Sequence, residues 1–171
     1  MAYKIFISYS TNDFLIVKQL GELLTNSAVE VFIAEYSVSP GNQLNETIVT
    51  AIKKCNMFIL LWSQSSKSSE YVSQEIGIAR GDNKLILPII LEDGLQLPGF
   101  IKGLKYLSIS RNPAKTLTWL QQNIVSYAKK RQQPNALVPL NTEKQQEPNN
   151  WVVWMILGAI VFWLFSQKNR G

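Results

Sequence analysis

The residue best placed to do chemistry in this sequence is Glu75. Val72, Ile76 and Ala79 recur at helical spacing and define one apolar stripe. At about 100° per residue, Glu75 falls about 60° from Val72 and about 40° from Ala79. That puts a carboxylate at the edge of a buried face, where it can look along the end of a sheet instead of into bulk water. A glutamate at such a boundary can equally snorkel its head outward, so spacing by itself leaves both roles open. Two hydroxyl-rich stretches, residues 8–13 and 63–75, are the other polar segments close to apolar runs. Histidine is absent and Cys55 is the only cysteine, which excludes Ser-His-Asp and Cys-His nucleophile systems and His-ligated zinc. No metal site is expected. A lone cysteine makes no internal disulfide and fits a reducing compartment. Cys55 lies where an apolar helix face meets a strand, which suits a small buried hydrophobe.

The elements that must hold Glu75 are legible as alternating patterns. Four almost unbroken apolar runs occupy residues 3–8, 29–34, 57–62 and 85–91, with a weaker fifth at 106–109. Continuous hydrophobicity predicts strands buried on both faces, as in a parallel sheet. Between them Val17, Leu20 and Leu24 share a helix face, as do Leu44, Ile48, Ile52 and Cys55, and the stripe beside Glu75 is a third. A last helix is expected over 112–131 with Leu117, Leu120, Ile124 and Ala128 inward. Strand and helix alternating in this way predict a flavodoxin-like, doubly wound α/β domain with five parallel strands ordered 2-1-3-4-5. Ligands of such sheets bind beyond the carboxyl ends of the strands where the order reverses, here between the first and third strands. The loops there are the hydroxyl-rich stretches at 8–13 and 63–75.

Charge and composition divide the 171 residues further. Residues 1–128 carry 11 Lys plus Arg against 10 Asp plus Glu, and residues 129–171 carry 6 against 2. A nucleic-acid binder would concentrate its basic residues on the folded domain; here that domain is close to neutral, and no nucleic-acid partner is expected. Residues 132–150 hold three Pro, four Gln and four Asn and read as a flexible linker reaching on the order of 25 Å. Residues 151–165 then have no polar side chain. At 1.5 Å per residue they cover roughly 22 Å, short of a hydrocarbon core of about 30 Å. Local thinning or snorkelling of Lys168 and Arg170 would make up the difference. Trp151, Trp154 and Trp163 stand where interfacial aromatic belts would fall. The expected organisation is a domain over 1–131, a linker over 132–150, a transmembrane helix over 151–166 and a polar tail over 167–171. No signal peptide is read at the N-terminus, since Lys4 falls inside the first strand. The expectation is a single-pass protein of the inner membrane with its domain in the cytoplasm.

Several segments together resemble the TIR (Toll/interleukin-1 receptor) domain family. The run Tyr3-Lys4-Ile5-Phe6-Ile7-Ser8-Tyr9-Ser10, followed by Asp13, looks like the family's first box. Val31-Phe32-Ile33 with Ser39-Pro40-Gly41 is similar to its second strand and the loop ending in Pro-Gly. Leu61-Trp62-Ser63, a serine-rich stretch and Tyr71-Val72-Ser73-Gln74-Glu75-Ile76 resemble its W-x-x-x-E segment, and residues 85–91 with Pro88 match its fourth strand. The resemblance covers residues 1–131 and is of the prokaryotic type. Tyr71 stands where the family often has Trp, and Ser10 and Thr11 where several NAD-cleaving members have Arg. The third, Phe-Trp box has only Tyr106 nearby.

The resemblance implies an enzyme that breaks the nicotinamide–ribose bond of NAD+, as a glycohydrolase or an ADP-ribosyl cyclase, with NAD+ as substrate and no cofactor. Glu75 takes the catalytic position. Tyr9, Ser10, Thr11, Tyr36, Ser63 and Tyr71 are the candidate substrate contacts, though Ser10 and Thr11 can equally cap the next helix. Ser39, Pro40 and Gly41 form the candidate assembly loop, through which TIR domains associate head to tail into filaments or higher oligomers. Nicotinamide leaves as a neutral molecule, so no general acid is needed, and one carboxylate facing an oxocarbenium-like charge suffices. A role in antiviral defence is the family's implication for a prokaryotic member tethered to a lipid membrane. The alternative is a non-catalytic adaptor that signals by self-association and needs the loop but no carboxylate.

Overall fold

Each apolar run becomes a strand: β1 (Tyr3–Ser8), β2 (Val29–Ile33), β3 (Met57–Trp62), β4 (Leu85–Ile90) and β5 (Leu107–Ser108). They form one parallel sheet in the order β2-β1-β3-β4-β5. The helices are α1 (Phe14–Leu24), α2 (Leu44–Lys54), the single-turn α3 (Gln64–Lys67), α4 (Glu70–Gly81) and α5 (Pro113–Gln132). This computed structural model describes residues 2–33 and 44–132, together with 155, 158 and 159. Among the described residues no helix is long and apolar enough to cross a membrane. Of the expected span, Met155, Gly158 and Ala159 are described, as helix. The rest of it, the linker beyond Gln132, the tail, Tyr36 and the loop residues Ser39, Pro40 and Gly41 lie outside the described residues.

The sheet divides the core into two apolar layers because successive side chains of a strand point to opposite faces. On one face Ile5 and Ile7 of β1 and Met57, Ile59 and Leu61 of β3 pack under Val17, Leu20 and Leu24 of α1 and Leu117, Leu120, Ile124 and Ala128 of α5. On the other, Phe6, Phe58, Leu60 and Trp62 pack under Ile48 and Ile52 of α2 and Val72, Ile76 and Ala79 of α4. Phe6 stacks between Phe32 and Phe58, with ring centroids 5.4 and 5.5 Å away. Burying each such side chain stabilises the fold by about 1.5–3 kcal/mol. The helix following β1 thus covers one face while α4, following β3, covers the other. Their loops diverge between the adjacent strands β1 and β3, the switch point beyond which ligands of such sheets bind.

Pro88 sits inside β4 without interrupting it. The Leu91 N–H donates to the Trp62 carbonyl at 2.9 Å, and the Ile109 N–H to the Ile90 carbonyl at 3.0 Å. By alternation, odd-numbered β4 residues present their backbone to β3 and even-numbered ones to the β5 side. The donor that Pro88 lacks therefore points toward β5, whose pairing begins only at Ile89. β5 itself is shorter than the expected 106–109, since Tyr106 is exposed and only Leu107 and Ser108 pair with β4.

Candidate active site

Glu75 lies on α4, and the ends of that helix are well defined. Ser69 is the N-cap in an extended conformation, its hydroxyl accepting from the Val72 N–H. Glu70 in the first turn and Arg80 in the last complement the helix dipole. The far end closes as a Schellman motif. Asn83 takes the left-handed conformation at φ 53°, the Lys84 N–H donates to the Ala79 carbonyl at 2.9 Å and the Asn83 N–H to the Arg80 carbonyl at 3.2 Å. Fixed at both ends and packed through Val72, Ile76 and Ala79, α4 presents Glu75 to the end of β1. There the buried Ser8 hydroxyl donates to Glu75 Oε2 at 2.5 Å. Burial pushes the Glu75 carboxyl up from 4.5 to about 7, and the Ser8 hydrogen bond only partly opposes this. A carboxyl that changes charge near neutrality, at the crevice of a doubly wound sheet, is suited to holding hydroxyls and facing a developing positive charge.

A second polar cluster lies beside it. Asp13 is buried at the position just before α1, yet its side chain makes no capping hydrogen bond. Instead its Oδ2 accepts from the Ser63 hydroxyl at 2.6 Å. Ser63 also caps α3: its Oγ accepts from the Ser66 N–H at 3.0 Å, while the Ser66 Oγ accepts from the Ser63 N–H at 2.6 Å. Glu92, beyond β4, accepts from the Gln64 N–H at 2.9 Å, and Asn12 donates to Ser65 Oγ at 3.2 Å. Burial raises the Asp13 carboxyl to about 6; the Ser63 hydrogen bond lowers it and the nearby Glu92 charge raises it further.

The other candidate contacts are distributed unevenly. Ser10 is half-buried at the start of the 3-10 turn Thr11–Asp13 and makes no side-chain cap, and Thr11 is exposed at its opening. Tyr71 is 64 % exposed and lies one turn before Glu75 on the same side of α4. Tyr9 belongs elsewhere. Strand alternation turns it away from Ser8, and its ring packs against the layer under α1 and α5, on the face opposite Glu75. Ser63 is no surface contact either: it is 1 % exposed and its hydroxyl is engaged by Asp13 and by the α3 cap. Sequence reasoning missed Ser8 as the partner of Glu75 and Asp13 as the partner of Ser63. The Ser63-x-x-Ser66 spacing, a variant of the capping box, is the one local signal that pointed to α3.

Comparison with known proteins adds the family context. The family model described as TIR domain matches residues 5–124. The chain is 28 % identical over 92 residues to the probable 2′ cyclic ADP-D-ribose synthase BdTIR of Brachypodium distachyon, an alignment covering 53 % of this chain. It spans 41 % of the length of that relative. In fold it resembles the TIR domain of the Toll-related receptor TRR-2 from Hydra magnipapillata, with a TM-score of 0.64 at 20 % identity, covering 75 % of this chain and 99 % of that one. The TIR domains of the activated Roq1 resistosome, which recognises the pathogen effector XopQ, superpose with a TM-score of 0.50 at 14 % identity, covering 93 % and 99 %.

Proposed function

This chain belongs to the TIR domain family, and on that premise we propose that it cleaves NAD+ at the nicotinamide–ribose bond with Glu75 as the catalytic residue. The observation that carries the reading is the half-buried Glu75 carboxyl, held by the Ser8 hydroxyl at the end of β1 and raised toward neutrality by its burial. The relative named as a cyclic ADP-D-ribose synthase supports the same bond as the target. NAD+ would lie across the crevice with its ribose against Glu75, the exposed Thr11 and Tyr71 forming the rim. When the C1′–N bond breaks, its electron pair moves onto the pyridinium ring and nicotinamide leaves uncharged. Positive charge grows on the ribose, and the Glu75 carboxylate opposes it without moving a proton. Water then captures the cation and releases a proton to solvent to give ADP-ribose, or an atom of the same molecule bonds to C1′ and closes a cyclic product, shedding a proton to solvent if that atom is a hydroxyl oxygen.

The 151–166 segment tethers the domain to the inner membrane with the domain in the cytoplasm, where NAD+ is available. Association through the loop containing Ser39, Pro40 and Gly41 activates it by bringing subunits head to tail, and NAD+ loss serves antiviral defence. The test of the chemistry is nicotinamide release by the full-length protein. Glu75→Gln, which keeps an acceptor for Ser8, should reduce turnover on the order of 100-fold or more. Wild-type turnover should rise with pH through about 7 as Glu75 ionises. Wild-type turnover in the Gln variant would refute the assignment.

A further inference from the structure

We propose that Asp13 is a positioning residue for Glu75, acting through Ser63 and the short helix α3. The inference rests on the reading of Glu75 as the catalytic group. The geometry has two arms, one from the last residue of β1 and one from the turn that follows it. One is direct: Ser8 ends β1 and its hydroxyl donates to Glu75 Oε2. The other runs from Asp13 Oδ2 to the Ser63 hydroxyl at 2.6 Å, and from Ser63 through the reciprocal bonds that cap α3. From there the Ser69 N–H donates to the Ser66 carbonyl at 3.1 Å, so the last turn of α3 fixes Ser69, the cap from which α4 starts. Glu75 follows in the second turn of α4.

α3 has little else to hold it. Its sequence, Gln-Ser-Ser-Lys, offers no apolar stripe, and a four-residue helix is far below the length at which propensity sustains one. Its place is set by side chains from other elements: Asp13 and Asn12 from the turn after β1, and Glu92 from beyond β4. Among these the Asp13 link is the buried one. Asp13 and Ser63 are each 1 % exposed, and a buried charge-assisted hydrogen bond is stronger and less tolerant of loss than its exposed counterparts. Among the described residues, Glu92 is the charged group bearing on the Asp13 carboxylate, and Glu75 is held by the Ser8 hydrogen bond instead. Asp13 therefore influences Glu75 through hydrogen-bonded geometry and not through its field. Loss of the Asp13–Ser63 bond frees the start of α4, lets Glu75 swing from Ser8 toward water, and degrades its alignment with the ribose.

The test uses full-length Asp13→Ala, Ser63→Ala and Asp13→Asn, the last keeping a side-chain oxygen that can accept from Ser63. Turnover of NAD+ is measured together with the titration of the Glu75 carboxyl by carbon NMR. The two alanine variants should lose kcat by about tenfold with KM changed by less than about twofold, the signature of an interaction made in the transition state. In both, Glu75 should titrate lower than its native value of about 7, toward the ordinary carboxylate range. Asp13→Asn should retain at least half of the native kcat and the native Glu75 titration. If a folded alanine variant keeps both the native kcat and the native Glu75 titration, the proposal is overturned. It is equally overturned if Asp13→Asn behaves like Asp13→Ala. Should Asp13→Ala fail to fold, Ser63→Ala and Asp13→Asn decide the question. If the wild-type protein releases no nicotinamide, the reading of Glu75 fails, and the Glu75 titration still decides whether Asp13 positions it.

Discussion

Replacing Glu75 by Gln should make the protein more stable at alkaline pH while removing its proposed activity. The carboxyl titrates near 4.5 in an ordinary environment and near 7 in the fold, because burial disfavours its charge. The native state therefore binds that proton more tightly than the unfolded chain does. Its contribution to stability is fully present below about 4.5 and is lost as pH rises through 7. At 1.36 kcal/mol per pH unit, carrying the charge at pH 8.5 costs the fold about 3 kcal/mol. Gln has nearly the same shape, still accepts from the Ser8 hydroxyl and never ionises, so it avoids that cost. For a domain of this size, one kcal/mol corresponds to about 3–5 °C in melting temperature. The Gln variant should melt about 10 °C above the native protein at pH 8.5 and close to it at pH 4.5. Asp13 titrates in both proteins and cancels from the comparison. Thermal melts of the two proteins across this pH range provide the assay. A melting difference that stays the same at both pH values would show that Glu75 is not held in a desolvated site.

Three other perturbations follow from the architecture and from the proposed setting. Phe58→Ala removes a fully buried ring stacked on Phe6 and should cost about 3–5 kcal/mol in denaturant unfolding. Gly41→Trp, in the proposed assembly loop, should reduce oligomer size in light scattering and NAD+ turnover together, and loss of one without the other would separate assembly from activity. Truncation before Trp151 should move the protein from the membrane pellet to the supernatant after cell fractionation; retention in the pellet would remove the tether from the reading.

The strands were legible because their signal is local. β1 and β3 coincide with the apolar runs at 3–8 and 57–62, since a strand covered on both faces reads as a nearly continuous run; in β1 only Lys4 and the terminal Ser8 break it. Glu75 was legible for a related reason: helical spacing fixes its angle to Val72 and Ala79 whatever the rest of the chain does. What escaped the sequence is held by contacts between distant residues. Beyond the Ser63-x-x-Ser66 cap spacing, residues 64–67 carry no helical pattern, because α3 is held by Asp13, 50 residues away from Ser63, and by Glu92, 28 away from Gln64. Asp13 stood in the sequence only as part of the first-box resemblance, and its bond to Ser63 is a contact of the fold. Tyr9 and Ser63 were drawn toward the crevice by their neighbours in the sequence. Alternation sends the first to the opposite face, and the second is used up inside the structure.

Pro88 also bears on how copies of the domain can meet. Along residues 85–88, β4 extends past the start of the two-residue β5, leaving a stretch of sheet edge that would otherwise accept a foreign strand. The missing Pro88 donor falls in that stretch and on that side, so an incoming backbone finds a gap where a hydrogen bond should form. β5, the outer strand on that side, is two residues long and its Ser108 carbonyl already accepts from the Asn112 N–H and the Thr116 hydroxyl, so among the described residues β2 is the edge left able to extend the sheet. Growth by continuous backbone pairing needs two competent edges per subunit, whereas one edge allows only a closed pair. Any filament built from these domains would then be joined through side-chain surfaces and not through a continuous sheet, the arrangement that amyloid-like stacking requires.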